Sequence, residues 1–110
     1  MSNPRQTAFE ALMKTLRDGA FSNLALDGIL SKSGLDTRDK SFVSNLFYGV
    51  IERQLTIDYQ LALYLSKPRK KLKPEVLTIL RMGAYQILFM DKVPDSAAVN
   101  ESIKLSKKNG

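Results

Sequence analysis

Lys67, Arg69, Lys70, Lys71 and Lys73 place five cations within seven residues, immediately ahead of Pro74. Side chains of this type, on a loop that opens into a helix, suit a phosphate partner. Free backbone N–H groups and the positive end of the helix dipole favour an anion there, and Coulomb attraction with counterion release supplies affinity. A merely solvated loop has the same composition, and that is the commoner fate of basic loops. A second cationic set, Lys104, Lys107 and Lys108, shares a helical face near residue 110 and is suited to lie beside the first.

The charge balance sharpens the choice. The chain of 110 residues carries a net charge of +6, but residues 1–65 hold seven Lys/Arg against seven Asp/Glu. The whole excess lies in residues 66–110, with ten basic residues against four acidic ones. A neutral part joined to a basic part points to a localised patch, the footprint of a phosphate-backbone partner, while a basic tail that only keeps a protein soluble has the same balance; the two cationic clusters tip the choice toward nucleic acid. Cysteine and histidine are both absent. Thiolate chemistry, imidazole acid–base work, disulfides and the usual zinc sites are therefore closed to these residues. Carboxylates stand singly at capping positions such as Asp36 and Asp95, where helix N–H groups account for them. No nucleophile is set beside a base, and no Gly-rich phosphate loop follows a strand. No catalytic residue and no metal ligand is assigned.

Arg81 is a separate case, because it sits within the apolar run Val76, Leu77, Leu80, Met82, Ala84, Tyr85, Ile87, Leu88 and Phe89. A buried guanidinium left unpaired costs several kcal/mol. A structural ion pair is expected, Arg81 with Glu101, Asp39 or another carboxylate, ahead of an RNA contact. Gly83 in the same run is expected to admit a neighbouring helix, since glycine there otherwise costs about 1 kcal/mol relative to alanine. Tyr48, Tyr59, Tyr64 and Tyr85 have rings that can stack on bases, although tyrosines at helical spacing are more often core.

The elements that must position these groups read as helices throughout. Asn3 caps a first helix with Pro4 at its first position and Gln6 reaching back as in a capping box. Its stripe is Ala8, Phe9, Leu12, Met13 and Leu16, and Gly19 stops it. A second helix begins near Ser22 or Asn23 and ends at Gly34. A third starts at Asp36 or Thr37, with Phe42, Val43, Leu46, Phe47, Val50 and Ile51 at three-and-four spacing. Thr56 caps a fourth, through Leu61, Leu63 and Leu65, which ends near Ser66 because Pro68 disfavours helix at Lys67. Pro74 opens the fifth, apolar nearly all round and so expected in the middle of a bundle. Pro94-Asp95-Ser96 precedes a thinner sixth, apolar at Ala98, Val99 and Ile103. The fold class is all-α, one compact domain of about six helices with short connections. No apolar run is long enough to cross a bilayer and no signal-peptide pattern is present, so a cytoplasmic location is expected.

Several blocks together resemble the NusB-like helical domain. They are Arg5-Gln6-Thr7-Ala8-Phe9-Glu10-Ala11-Leu12, Phe21-Ser22-Asn23-Leu24-Ala25-Leu26, Asp39 through Val50, and the stretch from Leu80 to Lys107. Tyr48-Gly49-Val50-Ile51-Glu52-Arg53, with Leu55, Ile57 and Asp58, is similar to the amino-terminal domain of the Sun family, bacterial 16S ribosomal RNA cytosine-5 methyltransferases. Leu72-Lys73-Pro74 leading into Ile79-Leu80-Arg81-Met82-Gly83-Ala84-Tyr85-Gln86 favours that family over free-standing NusB, a transcription antitermination factor.

The resemblance implies a helical domain that binds or positions ribosomal RNA, or docks against a methyltransferase domain carrying S-adenosylmethionine. The family's chemistry needs a cysteine thiolate, so residues 1–110 hold neither the catalytic groups nor the cofactor. It also implies a further helix that closes the bundle. Asn109-Gly110, a turn signal, then reads as a cut at a loop, with the bare apolar face available to a second copy in a homodimer. NusB-type RNA binding uses an arginine-rich amino terminus, of which only Arg5 stands in the opening dozen residues. The candidate RNA contacts are Arg5, Lys67, Arg69, Lys70, Lys71, Lys73, Lys104, Lys107 and Lys108. Two other readings remain open: an antitermination factor of the NusB kind, and a docking module that never touches RNA.

Overall fold

The computed structural model describes residues 3–110 and consists, among these, of helices and connecting turns. Six α-helices are α1 Pro4–Leu12, α2 Ser22–Ser33, α3 Thr37–Glu52, α4 Gln54–Ala62, α5 Pro74–Phe89 and α6 Asp95–Asn109. The punctuation works largely as the residue types dictate. Asn3 Oδ1 accepts from the backbone N–H of Arg5 (2.9 Å) and of Gln6 (3.4 Å). Asp36 Oδ1 caps α3 through the Asp39 N–H at 2.8 Å. Gly34, at φ +71°, takes the left-handed conformation that ends α2.

Three boundaries differ from the sequence reading. α1 passes into a widened π-type turn, Met13–Arg17, before Gly19 (φ +78°) stops it. α4 starts at Gln54, directly after Arg53 ends α3, so Thr56 is inside the helix and caps nothing. α4 also finishes at Ala62, several residues short of Pro68. The Gln6 side chain does not close a capping box. It exchanges hydrogen bonds with Asn109, Nε2 donating to Oδ1 (3.1 Å) and Oε1 accepting from Nδ2 (2.8 Å), which staples the last turn of α6 to α1.

The core gathers Ala8, Leu12, Leu26, Val43, Leu46, Phe47, Val50, Ile57, Met82 and Leu105 from all six helices. α5 packs against α1, α3, α4 and α6, as its composition requires. It is not buried on every side, however: Ile87 and Leu88 are exposed, as are Val99 and Ile103 of α6. Ile87, Val99 and Ile103 border an apolar groove of about 430 Å³ along α5 and α6, with Gly83, Ala98 and Ser102 in its lining. Gly83 does mark a close approach, since a Cβ there would stand 2.8 Å from Ser102 Oγ of α6. Gly49 marks a closer one, because the Tyr85 ring occupies the space its Cβ would take.

Candidate nucleic-acid interface

The basic segment between α4 and α5 is a shaped turn. Pro68 breaks the chain into an extended step, and residues Arg69–Lys71 form one turn of 3-10 helix. The Lys71 N–H donates to Pro68 O (2.9 Å) and the Leu72 N–H to Arg69 O (3.0 Å). Lys67, Lys70, Lys71 and Lys73 all project into solvent, and none forms an ion pair among the described residues. Four unpaired ammonium groups within one seven-residue segment form a concentrated positive field, which phosphate oxygens match.

Arg69 behaves differently from its neighbours. Its Nη1 donates to Asp58 Oδ2 at 2.7 Å, and Asp58 is a buried residue of α4. The same carboxylate receives Arg81 of α5 on both oxygens, Nε to Oδ1 at 2.8 Å and Nη2 to Oδ2 at 2.9 Å. Arg81 therefore has the structural ion pair its burial demands, but the partner is Asp58. Glu101, the expected carboxylate, instead accepts from Lys104 Nζ at 3.1 Å, while Asp39 lies on the first turn of α3 with no ion pair among the described residues. The reason is position. Asp58 faces α5 from the buried side of α4, whereas Glu101 lies at the rim of α6 within reach of solvent.

The second cationic set occupies the same end of the molecule. α5 and α6 form an antiparallel hairpin, so the start of α5 and the end of α6 are neighbours. Glu75 and Asn109 line one shallow depression with Phe9, Lys14 and Arg17. Lys107 and Lys108, in the last turn of α6, are exposed and unpaired among the described residues. Lys108 shares a polar depression with Lys14 of the π-type turn and Lys32 of α2. Neither Lys14 nor Lys32 is legible in the sequence as part of a patch, since each stands alone in a neutral stretch. Lys104 is tied to Glu101. Arg17 is held by Asp18 (2.7 Å) and Glu75 (3.6 Å). The Asp18 hydrogen bond raises the Arg17 guanidinium above its ordinary value and lowers the Asp18 carboxyl below its own.

Arg5 is turned inward. Its Nε donates to Oε1 of the buried Gln86 at 2.7 Å, and its guanidinium lies 4.9 Å from the centre of the Phe42 ring. Burial pulls its pKa down, partly offset by the charge of Glu101. Gln86 is thereby satisfied at both ends, its Nε2 donating to Met82 O at 3.0 Å. Of the tyrosines, Tyr85 is core and donates to Asn45 Oδ1 at 3.0 Å, and Tyr48 packs edge-on against Phe47. Tyr64, 86% exposed, stands three residues before the basic segment with its ring free to stack.

No group of three or more acidic side chains among the described residues is arranged to hold a metal ion, and no helix among them is long and apolar enough to cross a membrane. Known proteins share this chain's pattern along its length. It is 34% identical over 106 residues to the Probable ribosomal RNA small subunit methyltransferase B of Bacillus subtilis (strain 168), covering 96% of this chain and 24% of that protein. It is 37% identical over 110 residues to the protein of the same name from Synechocystis, covering 100% of this chain and 25% of that one. The chain thus spans about a quarter of the length of these relatives. It is also 33% identical over 78 residues to the Transcription antitermination protein NusB of Halorhodospira halophila, covering 71% of this chain and 50% of that protein. The NusB family model matches residues 2–110, and with the six-helix architecture this shows that the chain belongs to the NusB family.

Proposed function

We propose that this domain binds and positions ribosomal RNA for a cytosine-5 methyltransferase of which it forms one part. The observation that carries the reading is the set of unpaired ammonium groups at one end of the α5–α6 hairpin: Lys67, Lys70, Lys71, Lys73, Lys107 and Lys108. Contacts of this kind grip phosphate and fix register on the RNA without reading bases. Arg5, Arg69 and Lys104 are already engaged within the domain and are not assigned to the RNA surface.

The coverage of relatives favours the methyltransferase setting. The two methyltransferase relatives align with 96% and 100% of this chain, whereas the antitermination relative aligns with 71%. In that setting S-adenosylmethionine and the thiolate nucleophile belong to the remainder of the longer protein, because this chain has no cysteine. A bacterial ribosomal RNA substrate implies a cytoplasmic location.

The test is binding of the domain to small-subunit ribosomal RNA across a salt series, beside a variant with Lys67, Lys70, Lys71 and Lys73 changed to alanine. The logarithm of the affinity should fall linearly with log salt, and the slope should shrink by roughly 0.7–0.9 for each phosphate no longer neutralised. A folded domain that fails to bind, or binds with no salt dependence, sinks the reading and leaves a docking module.

A further inference from the structure

We infer that Asp58 organises the basic segment for its partner, acting through Arg69 as a positioning residue. This deepens the RNA-binding reading above and rests on it. The segment 66–73 has few internal restraints. It contains one short 3-10 turn and no residue of the buried core, and four of its side chains are lysines that repel one another. A chain with those properties is expected to sample many conformations.

One contact opposes that tendency. Arg69 ties the turn to Asp58 at 2.7 Å, and Asp58 is itself immobilised by the two-point grip of Arg81 at 2.8 and 2.9 Å. The anchor is therefore a rigid point on the α4–α5 interface. Arg69 remains 47% exposed along its side chain, so it bridges the buried carboxylate to the surface. Two guanidinium groups on one carboxylate leave the cluster with a net positive charge, so the anchor adds to the field of the turn. The planar guanidinium suits this work better than an ammonium, because it can hold Asp58 through one nitrogen while its remaining N–H groups face outward.

An ordered turn presents Lys67, Lys70, Lys71 and Lys73 in one arrangement before the partner arrives. A loose one must be ordered on binding, and that ordering weakens affinity. Re-ordering even one residue's backbone corresponds to about a tenfold loss.

The test compares Arg69→Gln and Arg69→Lys with the unaltered domain by amide hydrogen exchange and by RNA binding over a salt series. Arg69→Gln should speed exchange across 67–72, leave exchange in α5 unchanged, and weaken RNA about tenfold with the salt slope preserved. Arg69→Lys, which keeps one charge-assisted bond to Asp58, should recover part of both effects. Asp58→Asn is kept as a second variant, with circular dichroism to establish that it folds, and should match Arg69→Gln in the exchange of the turn. A salt slope lower by about 1 with unchanged exchange in Arg69→Gln makes Arg69 a direct phosphate contact and overturns the inference. So does a loosened turn that binds RNA as tightly as before. If the unaltered domain binds no RNA at all, the reading of the previous subsection fails instead, and the two failures are distinct.

Discussion

Asp58 and Arg81 meet through two parallel hydrogen bonds, Nε to Oδ1 and Nη2 to Oδ2, in a buried position between α4 and α5. Both groups are nearly excluded from water, and Asp58 alone has a further charged partner, Arg69. Removing Asp58 strands Arg81, and removing Arg81 takes from Asp58 its buried partner; the expected loss for a single truncation is roughly 3–5 kcal/mol. Arg81→Met should therefore destabilise strongly, with Asp58 left to Arg69 alone. The double variant Asp58→Leu, Arg81→Met should cost at least about 1 kcal/mol less than the two single losses added together. Urea unfolding of the four proteins checks this, and strict additivity would show that the pair is not coupled.

Gly49 and Gly83 make a contrasting pair, because only one has a yielding neighbour. A Cβ on Gly49 collides with the Tyr85 ring, which is fixed by its bond to Asn45 and by contact with Phe89. Gly49→Ala should cost roughly 1–3 kcal/mol by overpacking. At Gly83 the obstacle is the Ser102 hydroxyl, which can rotate away. The helix propensity gain of about 1 kcal/mol offsets the adjustment there. Gly83→Ala should leave the unfolding temperature nearly unchanged, and Gly49→Ala should lower it by several degrees.

Arg5 separates structural from electrostatic cation roles. It closes the hydrogen-bond requirement of Gln86 and covers the Phe42 ring. Arg5→Ala leaves Gln86 Oε1 without its donor, at an expected cost of about 1–3 kcal/mol. The salt slope of RNA binding should stay unaltered. A reduced slope with unchanged stability would return Arg5 to the RNA surface, as the family resemblance alone suggests.

These cases show where sequence is informative and where it is silent. Helix starts at Asn3, Asp36 and Pro74 and the stop at Gly34 follow from local chemistry, and local chemistry is written in adjacent residues. The need of Arg81 for a carboxylate is equally legible, since burial alone dictates it. Which carboxylate is not. Asp58 lies 23 residues away on a separate helix, and its selection depends on how α4 rotates against α5. The start of α4 departs from the local signal for a related reason: Thr56 is a good cap, but packing of Ile57 into the core carries the helix straight on from Arg53. Clustering across elements, as for Lys14, Lys32 and Lys108, leaves no trace in linear spacing.

That cluster gives the sharpest spatial prediction. If RNA approaches the end of the hairpin that holds the basic turn, then Lys14 and Lys32 feel it because they border the depression that Lys108 lines. Lys92 lies in the connection beyond the far end of α5, a helix of 16 residues. At 1.5 Å per residue that is roughly 24 Å from Lys73. The separation exceeds two Debye lengths at physiological salt, about 8 Å each. Lys14→Ala with Lys32→Ala should reduce the salt slope by about 1 to 2, one step for each phosphate left without its cation. Lys92→Ala, which removes one charge from the same net total, should leave the slope where it was. Equal reductions for each charge removed would mean that the RNA responds to overall charge, and the interface would have no location on the fold. A reduction confined to Lys14 and Lys32 would put the π-type turn after α1, together with α2, at the RNA surface along with the basic turn, and would make the bound RNA long enough to cross from one to the other.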